Sequence, residues 1–137
     1  ISRPSSGKFR RDTLNNISRT SFFSINSVEK ESLKKAHQTS GKYNVYQSEF
    51  ALCGFEEHYI DEFPIPFVKQ SRVKIGLKCI DTIKIKQNNT VLILGSVELL
   101  ALPDDYMTKS KNKNIGVIGL NTYYSLNEIG QFDYVRI

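Results

Sequence analysis

The chain has 137 residues, which suits one domain with one core and leaves little room for a second. Hydrophobic residues make up 39% and charged residues 24%, ordinary globular usage that argues against wholesale disorder and against a coiled coil. No apolar run approaches the ~20 residues needed to span a bilayer, and the opening Ile1-Ser2-Arg3-Pro4 is too polar for a signal peptide, so a cytoplasmic location is the starting expectation. The formal charge of +5 is unevenly spread. Residues 1–42 carry nine Lys/Arg against three Asp/Glu, and residues 43–137 carry ten against eleven. A basic amino-terminal segment can serve a nucleic-acid backbone, an acidic lipid surface or a compact phosphate, and charge alone does not choose among them.

In chain order, residues 1–11 read as a polar loop with no strand or helix before them, so the domain is expected to be incomplete at its amino end. Asp12 or Thr13 can cap a short helix running to about Arg19, with Leu14 and Ile17 facing inward. Thr20 to Asn26 fits a strand through Phe22, Phe23 and Ile25. The run Asn26-Ser27-Val28-Glu29 resembles a capping box and predicts a helix to about Thr39, with Val28, Leu33 and Ala36 loosely on one side. Ser48 and Glu49 open a short helical turn that Gly54 can close.

The period then changes. Val73, Ile75, Leu77 and Cys79 alternate with Lys74, Gly76 and Lys78, which predicts a strand with one buried and one wet face. Ile80 breaks the alternation and Ile83 and Ile85 resume it, which predicts a bulge near 80–82. Gln87-Asn88-Asn89 makes a turn into a second long strand from Thr90 to Leu102, ended by Pro103-Asp104-Asp105. Lys109 to Asn114 is a charged surface loop; Ile115 to Ile118, Tyr123 to Ser125 and Phe132 to Ile137 are further strand candidates, with Gly116 and Gly119 marking tight backbone. Small helices followed by antiparallel, bulged strands predict a mainly β fold with small helices, closing toward a barrel that removes exposed edges.

The densest polar constellation is the loop from Ser2 to Thr13, where hydroxyls, a glycine and several cations lead into a helix start and can together hold one anion such as a phosphate monoester. The plainer reading is a solvated basic loop with Asp12 or Thr13 merely capping the helix. Nucleic acid is a weaker alternative, since only Phe9 interleaves the charges as a stacking platform. His37 ends a helix before Gln38-Thr39-Ser40-Gly41, either at a pocket mouth or as a partner of the helix dipole. Gly119-Leu120-Asn121-Thr122-Tyr123-Tyr124 sets an amide and two phenols beside a glycine, which serves either packing or a ligand rim. Cys53 and Cys79 sit in apolar segments without ligand spacing and read as thiols, His58 has no partner for hydrolytic chemistry, and metal ligands are too few and too scattered to form a site.

Five segments, taken in order, resemble the flavin reductase-like family of FMN-binding split β-barrels, in the form found in bacterial flavin oxidoreductases. They are Arg10-Arg11-Asp12-Thr13-Leu14-Asn15-Asn16-Ile17; Lys35 to Tyr43 with Ser48-Glu49-Phe50 and Cys53-Gly54; Pro66-Phe67-Val68-Lys69-Gln70-Ser71; Asn89-Thr90 with Leu94-Gly95-Ser96-Val97; and Gly119 to Ser125. The resemblance covers nearly the whole chain. It implies a Greek-key split barrel over residues 1–137, lacking its first strands, and a homodimer that holds FMN near the subunit interface. It places Ser2, Arg3, Arg11, Asp12, Thr13 and Asn16 at the flavin phosphate and ribityl chain, and His37, Thr39, Ser40, Asn121, Tyr123 and Tyr124 on a substrate rim. Hydride would pass from NAD(P)H to flavin N5 without a catalytic side chain. Where some members carry Asp-His-Thr this chain has Asn88-Asn89-Thr90, so nicotinamide contacts are not carried over to these residues. The alternatives are a non-catalytic flavin-binding split barrel and a basic barrel that binds nucleic acid.

Overall fold

The computed structural model describes residues 12–44, 46–106 and 115–135. Helix α1 (Asp12–Thr20) leads through Ser21, at φ 61°, into strand β1 (Phe22–Asn26). Ile17 of α1 is buried and Leu14 half-buried, as the three-residue spacing predicts. A 3-10 turn (Lys30–Ser32) runs into α2 (Leu33–Gln38), followed by α3 (Glu49–Cys53), which Gly54 closes at φ 71° as expected. Strands β2 (Glu57–His58) and β3 (Phe67–Val68) form a small ladder. Strands β4 (Lys74–Ile85) and β5 (Thr90–Ala101) are the long hairpin, and β6 (Ile115–Ile118) and β7 (Thr122–Ser125) a short one.

The sheet order is β1-β4-β5, all antiparallel. Register shifts fall between Gly76 and Leu77 and between Cys79 and Asp81, the second at the bulge expected near Ile80. Asn89 takes a left-handed φ of 51° in the hairpin turn, a conformation that asparagine tolerates better than most residues. Two thiols remain free, Cys53 buried and Cys79 half-buried.

Residues opposite one another in an antiparallel ladder share a face. Phe22, Ser24 and Asn26 therefore lie with Lys78, Gly76 and Lys74 on one side of the sheet. The segment 63–68 covers that side. Phe63 stacks edge-on against Phe22 at 5.5 Å and tilts against Phe67 at 5.3 Å, while Ser24 Oγ donates to the Pro66 carbonyl and the Val68 N–H to Asn26 Oδ1. Gly76 makes this possible, since a Cβ there would stand 2.7 Å from the Phe63 ring. On the opposite face Phe23 lies over Gly95 in the same manner, where a Cβ would meet its ring at 2.8 Å. Beyond Phe23 that face leaves Ile25, Val97 and Leu100 each more than half exposed.

Three expectations are corrected. The face of β4 expected to be wet is partly covered, because Lys74 is buried and Gly76 lies under Phe63. The run 26–29 forms no capping box: helical structure begins only at Lys30, and the Ser27 hydroxyl bonds the Glu29 carboxylate and the neighbouring chain instead. Residues 132–135 form no strand. The expected loop at 109–114 lies outside the described residues, as do residues 136–137 and 1–11.

Lys74 Nζ donates to the Ser71 carbonyl, and no carboxylate among the described residues pairs with it, so burial lowers its pKa below the ordinary 10.5. The folded state thus disfavours the charged form, and this cost is complete below the folded pKa and gone above the unfolded one. The stability of Lys74→Met relative to the parent should therefore fall as pH rises through the alkaline range toward the ordinary lysine value of 10.5, read from urea denaturation at each pH. Gly76→Ala, which forces Phe63 off its seat, should cost about 1–3 kcal/mol in the same assay at neutral pH.

Candidate functional site

The site grows out of Ser27, at the end of β1. Its backbone N–H donates to the Val73 carbonyl at 2.9 Å and its carbonyl accepts from Ser71 Oγ at 2.6 Å. Its hydroxyl accepts from the N–H groups of Arg72 and Val73 at 3.2 and 3.0 Å and donates to Glu29 Oε1 at 3.0 Å. One residue thereby pins the entry to β4 against the start of the helical segment. Arg72 reaches on to Asp105, just past β5, at 2.5 Å, with both side chains about one-third exposed or less.

A cleft of about 650 Å³ opens above this junction, in the usual range for small-molecule pockets. One wall is the helical segment with Val28, Leu33 and Ala36, and the floor carries Arg72 and Val73. Ile115, Val117 and Tyr123 of the β6–β7 hairpin close it opposite. The hairpin is held at the rim by His37, whose Nδ1 lies 2.8 Å from the Tyr123 hydroxyl, with the two rings perpendicular at 5.7 Å.

Of the residues expected at the rim, the structure brings His37 and Tyr123 together. Thr39 and Ser40 turn their hydroxyls to the Ala36 and His37 carbonyls, where they satisfy the last turn of α2. Tyr124 is the neighbour of Tyr123 on β7 and strand alternation directs it to the other face, opposite Gly116. Asn121 sits in the exposed hairpin turn. Sequence reasoning missed Ser27, Glu29 and Arg72 as lining residues, and Glu29 was read only as part of a cap.

Of the residues expected at the phosphate, Ser2, Arg3 and Arg11 lie outside the described residues, and Asp12 is described only as the first residue of α1. Thr13 and Asn16 are exposed, three apart on α1, and their side chains make no hydrogen bond among the described residues. A hydroxyl and an amide group in the first turns of a helix suit an anionic phosphate. Among the described residues no group of three or more His, Cys, Asp or Glu could hold a metal ion, and no helix is long and apolar enough to cross a membrane.

This architecture recurs in solved structures. A protein from Shewanella frigidimarina assigned as a flavin reductase with a split barrel domain matches 90% of the chain at TM-score 0.85 and 28% identity, the match spanning 66% of that protein. Nitrilotriacetate monooxygenase component B from Bacillus cereus matches 96% of the chain at TM-score 0.81 and 17% identity, over 69% of its own length. An FMN-binding domain of a flavin reductases-like enzyme from Shewanella baltica matches 88% at TM-score 0.66 and 15% identity, over 68% of its length. No protein-family model and no curated protein matches the chain. The fold is that of the split β-barrels to which these flavin reductase-like, FMN-binding structures belong, mainly β with small helices, as the ordered motifs imply. It spans about two thirds of the length of these solved chains.

Ser27→Ala removes the acceptor of two part-buried backbone N–H groups and should cost about 1–3 kcal/mol in urea denaturation. A double-mutant cycle of His37→Ala and Tyr123→Phe should return a coupling of about 1 kcal/mol, and additivity of the two changes would mean that the hairpin is anchored elsewhere.

Proposed function

We propose that the chain is the flavin-handling domain of an FMN-dependent oxidoreductase that passes hydride from NAD(P)H to flavin. The observation that carries this reading is the likeness in fold, over nine tenths of the chain, to a protein assigned as a flavin reductase at 28% identity. The five motifs in their family order support it, as do the exposed Thr13 and Asn16 on α1. In this reading Ser2, Arg3, Arg11, Asp12, Thr13 and Asn16 hold the phosphate and ribityl chain of FMN, whose N5 supplies the hydride acceptor. The chain's own work is to bind, orient and shield the rings. The cleft beneath the His37–Tyr123 pair takes the substrate that the reduced flavin serves, distinct from NAD(P)H, with its apolar walls excluding water. The exposed apolar residues Ile25, Val97 and Leu100 suit burial in a homodimer. The same reading makes residues 1–137 one domain and its setting the cytoplasm.

A non-catalytic flavin-binding protein is the second reading, supported by the likeness in fold to an FMN-binding protein from Thermus thermophilus at TM-score 0.72 and 12% identity. Titration of the protein into FMN, followed by flavin fluorescence, should give saturable quenching. Arg11→Ala should weaken that binding about tenfold or more by removing a charge-assisted contact. Unchanged affinity in the variant would contradict the phosphate assignment, and failure of NAD(P)H to bleach bound flavin would favour the non-catalytic reading.

A further inference from the structure

The ionic groups of the cleft are out of balance. Arg72 and Glu29 are its only charged lining side chains among the described residues. Arg72 is already paired with Asp105 at 2.5 Å. Glu29 meets no Lys, Arg or His among the described residues; its one side-chain partner is the Ser27 hydroxyl on Oε1. Glu29 is half-buried against an apolar wall, and no cation among the described residues pairs with it. A carboxylate so placed gains most from a cation that brings its own apolar surface.

The remaining lining fits such a guest. Val28, Leu33, Val73 and Val117 offer apolar contact, and Tyr106 and Tyr123 offer aromatic faces that attract cations through their quadrupoles. Among the described residues, an anionic guest would find the one lining cation occupied and a carboxylate in the same cleft. We propose that the cleft binds an organic cation, a compact apolar or aromatic body carrying a protonated amine, with Glu29 as the residue that selects the charge. This rests on the reading of the cleft as a substrate pocket. It does not require that flavin be bound.

The test compares three near-isosteric probes by titration calorimetry on the protein without added flavin: phenethylammonium, 2-phenylethanol and 3-phenylpropanoate. The ammonium should bind at least about tenfold more tightly than the alcohol, and the carboxylate most weakly. Glu29→Gln keeps an acceptor for Ser27 and should erase the ammonium's advantage while leaving the alcohol's affinity unchanged. Equal or tighter binding of the carboxylate, absence of binding by all three, or an ammonium affinity indifferent to Glu29→Gln would overturn the proposal. The ranking of the three probes on the parent protein stands as a test even if the variant does not fold. An FMN titration on the same preparations separates the outcomes, since loss of flavin binding with the ammonium preference intact would contradict the flavin reading alone.

Discussion

The junction at Ser27 is the constraint on which the rest of the site depends. A strand end, a helix start and the residues leading into β4 all converge on one small side chain and its peptide, with its N–H, carbonyl and hydroxyl all engaged. Because its hydroxyl serves two backbone N–H groups, the local geometry is fixed by main chain rather than by long, mobile side chains. Glu29 and Arg72 are placed as by-products of that fixing. The cleft floor is therefore rigid, whereas its far wall is a two-stranded hairpin, a unit with little stability of its own, tied on through His37 and Tyr123.

Close packing of aromatic rings on glycine gives the sheet its thickness. Successive residues Phe22 and Phe23 point to opposite faces, and each face provides a glycine that lets a ring approach the backbone, Gly76 beneath Phe63 and Gly95 beneath Phe23. One face is finished by residues 63–71, which also bury Lys74. The other stays open at Ile25, Val97 and Leu100, and in the reading given above a second copy of the chain covers it.

The elements that rest on local signals were legible. The long strand β4, its bulge near Ile80, the asparagine turn, the inward pair Leu14 and Ile17 and the Gly54 closure all follow from short-range rules that the packing does not overrule. Lys74 and Gly76 defeated the alternation rule because the cover, residues 63–71, comes from a segment whose own strands are two residues long and carry no period. Ser27 defeated the capping rule because its hydroxyl found better partners 45 and 46 residues away than the helix three residues on. At the site, His37 and Tyr123 were visible as isolated polar tips, but only tertiary structure reveals that they meet across 86 residues. The strand period could have separated Tyr123 from Tyr124. No local signal marked Glu29 and Arg72 as neighbours. The ordered motifs made the fold legible, since five segments in order carry information that no single one does.

Two regions with different chemistry emerge, the basic sequence ahead of α1 and an apolar cleft lined by Glu29 and Arg72 beyond the end of β1. The account assigns the flavin phosphate to the first and a second substrate to the other. Hydrogen–deuterium exchange with and without FMN addresses that division directly. Protection centred on the amino-terminal loop and the first turn of α1 is the predicted result. Protection confined to the cleft walls, residues 28–36 and the β6–β7 hairpin, or no protection at saturating FMN, would contradict it.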